Sequence, residues 1–166
     1  MCKCVKRNNE IAAKIVETNA KALIRLVMIS GIVVAADQAT KSLITASVSL
    51  YDTVPVIPGF FNITHILNPG GAFGLFAENS PELRKFFFLF VSTIVACMIL
   101  WFYKKTAGDH LLLSSGLACI FGGAVGNLID RFRFGKVVDF LDFYIATWHW
   151  PAFNIADSAI CIGMTI

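Results

Sequence analysis

Residues 86–103, FFFLFVSTIVACMILWFY, run without a charge and without a polar stripe. A helix in a water-soluble protein keeps one face for solvent, and this segment has none to offer. Its length approaches the roughly 20 residues that a helix needs to cross ~30 Å of hydrocarbon. Comparable apolar stretches run from Ala22 to Ala46, from Leu111 to Ile129 and from Phe153 to Ile166; the last is short, and the sequence stops inside that predicted helix. Apolar residues make up 57% of the chain and charged ones 15%, with mean hydropathy +0.70. Globular chains average nearer 45–50% and about 25%. The expected fold class is an all-α membrane protein, a four-transmembrane-helix bundle. A soluble protein with buried core helices is the alternative, and the uncharged second span argues against it. A cleaved signal peptide is not expected, because the first apolar run begins beyond residue 20 and no small-residue cleavage site precedes a polar domain.

The net charge of +3 is too small to imply nucleic acid, but its distribution is informative. Lys3, Lys6, Arg7, Lys14, Lys21 and Arg25 precede or open the first span, and Lys104 and Lys105 follow the second. The positive-inside rule then puts the N-terminus and the second loop in the cytoplasm and the first and third loops outside. Arg84, Lys85, Arg131, Arg133 and Lys136 reduce the contrast. Cys97, Cys119 and Cys161 lie in apolar spans and read as small hydrophobes. Cys2 and Cys4 have neither the histidines nor the second pair of a zinc site, so no metal or cofactor is expected.

The chain divides into a polar arm, residues 1–21, expected to be cytoplasmic and either amphipathic or disordered, and a membrane domain, residues 22–166. Within the latter, the connection over residues 47–83 alternates β-branched and aromatic residues with Pro-Gly punctuation in VPVIPGFFNITHILNPGGAFG, predicting a small β-rich extracytoplasmic subdomain. Ser80-Pro81-Glu82 reads as an N-cap followed by proline at the first helical position.

Several carboxylates stand among these apolar segments. Asp37 and Lys41 are neighbours at i, i+4, either an interfacial anchor or a pair facing the bundle interior, where an intramembrane charge usually turns. Asn127, Asp130 and Arg131 close the third span behind Gly122, Gly123 and Gly126, and a deep amide at Asn127 requires a hydrogen-bond partner. Asp139 is flanked by Val137, Val138 and Phe140; Asp157 follows Asn154, a candidate N-cap, by three residues. Asp157 is either a helix-capping acid or a member of a pair with Asp139, in which two environments separate the ionisation of two carboxylates.

In order, the chain carries DQATK, NPGGAFG, GNLIDR, VVDF and FNIAD. Together these blocks, spanning Asp37 to Asp157, resemble the signature of lipoprotein signal peptidase, the bacterial signal peptidase II family. The resemblance implies a four-helix aspartic endopeptidase of the bacterial inner membrane, without cofactor or metal. Its substrates would be prolipoproteins carrying diacylglycerol on the cysteine after the cut. It also implies that Asp139 and Asp157 are the catalytic dyad and that Asp37, Lys41, Asn68, Gly70, Asn127, Asp130, Arg131 and Asn154 shape the site. Gly71 stands where the family takes a small residue. Asp142 matches no catalytic position and reads as an ordinary polar residue near the interface.

On this reading one carboxylate activates a water, the other polarises the scissile carbonyl, and a monomer working among membrane lipids suffices. The NPGGAFG turn would cradle the substrate. Two rivals remain: a small proton-coupled transporter, in which Asp37, Asp130 and Asp157 relay protons across the membrane, and a scaffold in which the acids only cap and anchor helices.

Overall fold

The computed structural model describes residues 2–70 and 80–166, and in the first helix the side chains from residue 13 onward except residue 15. The NPGGAFG expectation therefore lies outside the described residues from Gly71 on. Helix α1 spans Cys2–Ser47, α2 Pro81–Thr106, α3 Leu111–Phe134 and α4 Ile155–Thr165; strands β1 (Thr53–Ile57) and β2 (Phe61–Asn68) follow α1, and β3 (Val137–Ile145) and β4 (Trp148–His149) follow α3.

Three helical segments, Val16–Ser47, Pro81–Thr106 and Leu111–Phe134, are long and apolar enough to cross a membrane. Helix α4 has 11 residues, about 16 Å at 1.5 Å per residue, and is a shorter element than the other three. Helix α1 passes residue 21 without interruption. Helix α2 starts as its sequence predicts: Ser80 accepts from the Leu83 N–H at 3.3 Å and Pro81 occupies the first turn. Helix α3 ends at Gly135, whose φ of 70° is the left-handed conformation that closes a helix, with its N–H donating to Arg131 O at 2.9 Å.

Large apolar side chains point outward, Phe86, Phe90, Leu111 and Leu112 among them, while Asp37, Lys41, Asn127, Asp130 and Asn154 are buried. That inversion suits helices solvated by hydrocarbon, where close packing and polar contacts rather than apolar burial join helix to helix. Helix α3 is the central element, packing on α1, α2 and α4. Its glycines set the distances. A Cβ on Gly116 would stand 2.8 Å from Gly163 O of α4, one on Gly122 would stand 2.9 Å from Ser30 Cα of α1, and one on Gly123 would collide with Ala156 O.

The strands form one antiparallel sheet in the order β1-β2-β3-β4. The first outer loop was expected to supply the β structure; the sheet also takes in the segment after α3. Strand β3 does not alternate apolar and polar residues, because it is covered on both faces, with Val137 to Phe140 all buried. The β2–β3 register sets Ile66 opposite Asp139 and Asn68 opposite Val137, which brings the end of the first loop beside the acid of VVDF.

Gly123→Ala is expected to destabilise the protein by about 1–3 kcal/mol, because backbone rather than a movable side chain meets the new methyl. Gly31→Ala, with nothing within 4 Å, should be neutral or slightly stabilising. Unfolding midpoints in one detergent compare the two.

Candidate active site

The site is organised by the first turn of α4. Asn154 is extended (φ −136°, ψ −174°), its side-chain oxygen accepts from the Asp157 N–H at 3.0 Å, and Asp157 Oδ2 accepts from the Asn154 N–H at 3.3 Å. This reciprocal capping box fixes the Asp157 carboxylate at the helix start. The amide of Asn154 also donates to Asp139 Oδ1 at 2.7 Å. One residue thus binds both acids, although they come from different elements. Asn127 of α3 adds a second bond to Asp157, Nδ2 to Oδ1 at 2.7 Å, and Asn68 at the end of β2 donates to Asp139 Oδ2 at 3.0 Å. Asn68 is aimed by Gly70, whose N–H donates to its side-chain oxygen at 2.9 Å. Gly70 has φ 82°, and a Cβ there would stand 2.9 Å from the Phe88 ring, so two independent constraints require glycine.

Beneath these groups lies a buried ion cluster. Lys41 Nζ is 2.9 Å from Asp37 Oδ2, 2.8 Å from Asp130 Oδ2 and 3.0 Å from Asn127 Oδ1. The Asp37–Lys41 pair therefore faces the bundle interior and is no surface anchor. Each of the two acids also holds backbone: Asp37 Oδ1 accepts from the Ala156 N–H at 2.9 Å, and Asp130 Oδ2 from the Val138 N–H at 3.1 Å. Ala156 precedes Asp157, and Val138 precedes Asp139. A Cβ on Gly126 would stand 2.7 Å from Asp37 Oδ2, so glycine leaves the carboxylate its room. Arg131, half-buried, makes a long contact to Asn127 O at 3.4 Å among the described residues and stands within electrostatic reach of Asp157, Asp139 and Asp130.

Burial pushes the Asp139 carboxyl up to about 6; hydrogen bonds from Asn68 and Asn154 and the Lys41 charge oppose the rise, and the Asp157 charge adds to it. The two acids thus sense each other. With its pKa raised to about 6, the Asp139 carboxyl keeps its proton nearer to neutrality than a free carboxyl does.

Asp139, Asp157 and the eight supporting residues expected around them are brought together, while the NPGGAFG turn from Gly71 on lies outside the described residues. Gln38 was missed: its Nε2 lies 2.9 Å from Asp130 Oδ1, 3.1 Å from Asp37 Oδ2 and 3.2 Å from Gly126 O, tying α1 to α3. The argument applied to Asn127, that an amide in an apolar span needs a partner, would have found it. The backbone donors of Val138 and Ala156 carry no side-chain signal. Asp142 requires a correction. Read from the sequence as an ordinary polar residue near the interface, it is buried, accepts from Asn62 Nδ2 at 2.9 Å and pairs with His149 Nδ1 at 2.8 Å, and so joins β2 to β4. The acids of the transporter reading, Asp37, Asp130 and Asp157, sit in one connected cluster and form no relay across the bundle.

The profile of the Signal peptidase (SPase) II family matches residues 29–166. A protein of Desulforapulum autotrophicum named lipoprotein signal peptidase is 67% identical over 148 residues, covering 89% of this chain and 91% of the relative. One of the same name from Geobacter sulfurreducens is 50% identical over 130 residues, covering 78% and 80%. Two solved structures described as bacterial membrane enzymes, determined by the in meso method at 2.3 and 1.9 Å, are 37% and 36% identical. Both give a TM-score of 0.74 and cover 84% of this chain, with 82% and 87% of their own chains covered. These matches span the carboxylate cluster and the helices that carry it, and the chain belongs to the signal peptidase II family.

Proposed function

We propose that the chain is an aspartic endopeptidase that removes the signal peptide from diacylglyceryl-modified prolipoproteins, cutting on the N-terminal side of the lipidated cysteine. The observation that carries the chemistry is the joining of Asp139 and Asp157 through the single residue Asn154. Asp157 takes a proton from a water as that water attacks the scissile carbonyl, and the proton on Asp139 passes to the carbonyl oxygen. Collapse of the tetrahedral diol breaks the C–N bond: the leaving nitrogen takes the proton held by Asp157, and a diol hydroxyl returns one to Asp139. Asp139 is given the acid role because its ionised form is the disfavoured one. Asn68, Asn127 and Asn154 hold the acids, and Arg131 and Lys41 offset their charge.

Two contacts support the membrane placement. Arg25 donates to Ala107 O at 2.7 Å and Tyr103 donates to Ala22 O at 2.6 Å, so the basic start of the first span and the last turn of α2, with Lys104 and Lys105, share one end of the bundle. The positive-inside rule makes that end cytoplasmic and puts the carboxylates at the extracytoplasmic face of the bacterial inner membrane. In this placement α4 is a fourth, short span beginning at the outer boundary. The enzyme works as a monomer, with prolipoprotein and membrane lipids as its partners. The substrate's acyl chains remain in the bilayer, so recognition is mainly hydrophobic.

Asp139→Asn and Asp157→Asn are each expected to abolish cleavage of a diacylated precursor while the protein stays folded; unmodified precursor should resist the native enzyme. Retained cleavage in both variants would remove the dyad. The rate should follow a bell in pH, with kcat/KM of the free enzyme falling as pH rises through about 6, where Asp139 loses its proton.

The same ionisation predicts a stability effect. With the Asp139 pKa raised from 3.8 to about 6, its contribution to stability is intact below 3.8 and lost as pH rises through about 6, up to about 3 kcal/mol. Asp139→Asn should therefore flatten the dependence of Tm on pH between 4 and 7; an unchanged slope would contradict the assignment. Lys41→Met should instead cost about 3–5 kcal/mol of stability, since it strands two buried carboxylates, and its loss of activity should track loss of folded protein.

A further inference from the structure

A cleft of about 420 Å³ opens between α1 and α2 at the end of the bundle away from the carboxylates. Ala22 in its wall precedes Asp37 by 15 helical residues, or about 22 Å. Its lining is divided by polarity. Leu23, Leu26 and Leu100 form the apolar part, and Asn19, Lys104 and the Ala107 segment form the polar rim. Lys104 is exposed and has no ion pair or side-chain hydrogen bond among the described residues. Arg25 grips the carbonyl of Ala107 with Nη2, while its Nε is buried without a hydrogen-bond partner among the described residues. Ala107 lines the cleft, so the Arg25 guanidinium bonded to its carbonyl stands at the edge of the opening.

We propose that this cleft binds an anionic glycerophospholipid, with its phosphate between Lys104 and the Arg25–Ala107 corner and one acyl chain along Leu23, Leu26 and Leu100. The chemistry of the rim selects the occupant. Lys104 lines the cleft and Arg25 stands at its edge through Ala107, so a positively charged group is disfavoured, including the basic leading segment typical of a signal peptide. Leucines below the rim favour a molecule with a hydrocarbon tail over a free anion. Leu23 is 60% exposed, so the cleft is open on the side that hydrocarbon would cover and a bilayer lipid can enter sideways. A basic pocket between spanning helices near a membrane surface is a recurrent headgroup site. The inference rests on the membrane placement proposed above but not on the catalytic assignment, and its test does not involve cleavage.

The full chain carrying Trp101→Phe, Trp148→Phe and Trp150→Phe together with Leu100→Trp has its sole tryptophan in the wall of the cleft. In phosphatidylcholine bicelles, brominated phosphatidylglycerol should quench this tryptophan at lower mole fraction than brominated phosphatidylcholine. Lys104→Gln should reduce that preference about fivefold, the effect of one basic side chain near a lipid surface. Leu23→Phe, which narrows the cleft at unchanged charge, should reduce it as well, and Lys14→Gln, at an exposed lysine outside the lining, should leave it intact. Equal quenching by the two lipids would overturn the proposal. So would equal losses from Lys104→Gln and Lys14→Gln, which would mark diffuse surface attraction, or no effect of Leu23→Phe. Displacement of the lipid by inorganic phosphate at equal concentration would also overturn it, because the site would then hold the anion alone.

Discussion

The ammonium of Lys41, held between the carboxylates of Asp37 and Asp130, is the interaction on which the rest of the structure depends. All three groups are almost wholly buried, so each would carry a heavy desolvation penalty alone. The penalty is offset by filling the remaining lone pairs. Gln38 bonds to both acids, Asn127 accepts from the lysine, and backbone N–H groups take the carboxylate positions still open. A charge cluster satisfied in this way has one geometry, because displacing any member leaves another unpaired in a low-dielectric interior.

That rigidity is transmitted directly to Asp139 and Asp157, the proposed dyad. Asp37 holds the N–H of the residue before Asp157, and Asp130 holds the N–H of the residue before Asp139. The ion cluster therefore fixes the backbone on which each acid of the pair is mounted, one at a helix start and one in a strand. Side-chain amides from β2, α3 and the start of α4 complete the arrangement, with Asn154 common to both acids. A hydrolytic pair needs carboxylates close enough to share a proton and held firmly enough not to collapse onto each other. Asparagines serve this purpose well, since they donate to carboxylates without adding a charge that would force both to ionise.

The helices that carry the cluster follow the opposite logic on their outer surface. Leucine, phenylalanine and isoleucine face outward, and close approach between α3 and its neighbours comes from glycine. The same glycines serve the site. Gly126 clears the space for Asp37, and Gly123 brings α4, with Asn154 and Asp157 at its start, against α3. Helix packing and the carboxylate cluster are thus joined at one face of one helix.

Much of this could be read in the chain before folding. Long runs of apolar residues without charges dictate spanning helices, because nothing in them can satisfy water, and Ser80-Pro81 marks the start of α2 by local chemistry alone. The acids and amides of the site are conspicuous for the same reason: a polar group in an apolar run must find a partner. The identity of those partners was not legible. Asp142 looked incidental because its contacts with Asn62 and His149 come from distant segments, and β3 escaped notice because burial on both faces erases alternation. Gln38, the Val138 N–H and the Ala156 N–H acquire their roles only when α1, α3, β3 and α4 converge. Sequence determined which groups had to leave water; the tertiary structure decided which of them would meet, because hydrogen bonds and ion pairs depend on ångström distances between segments that the linear order leaves free.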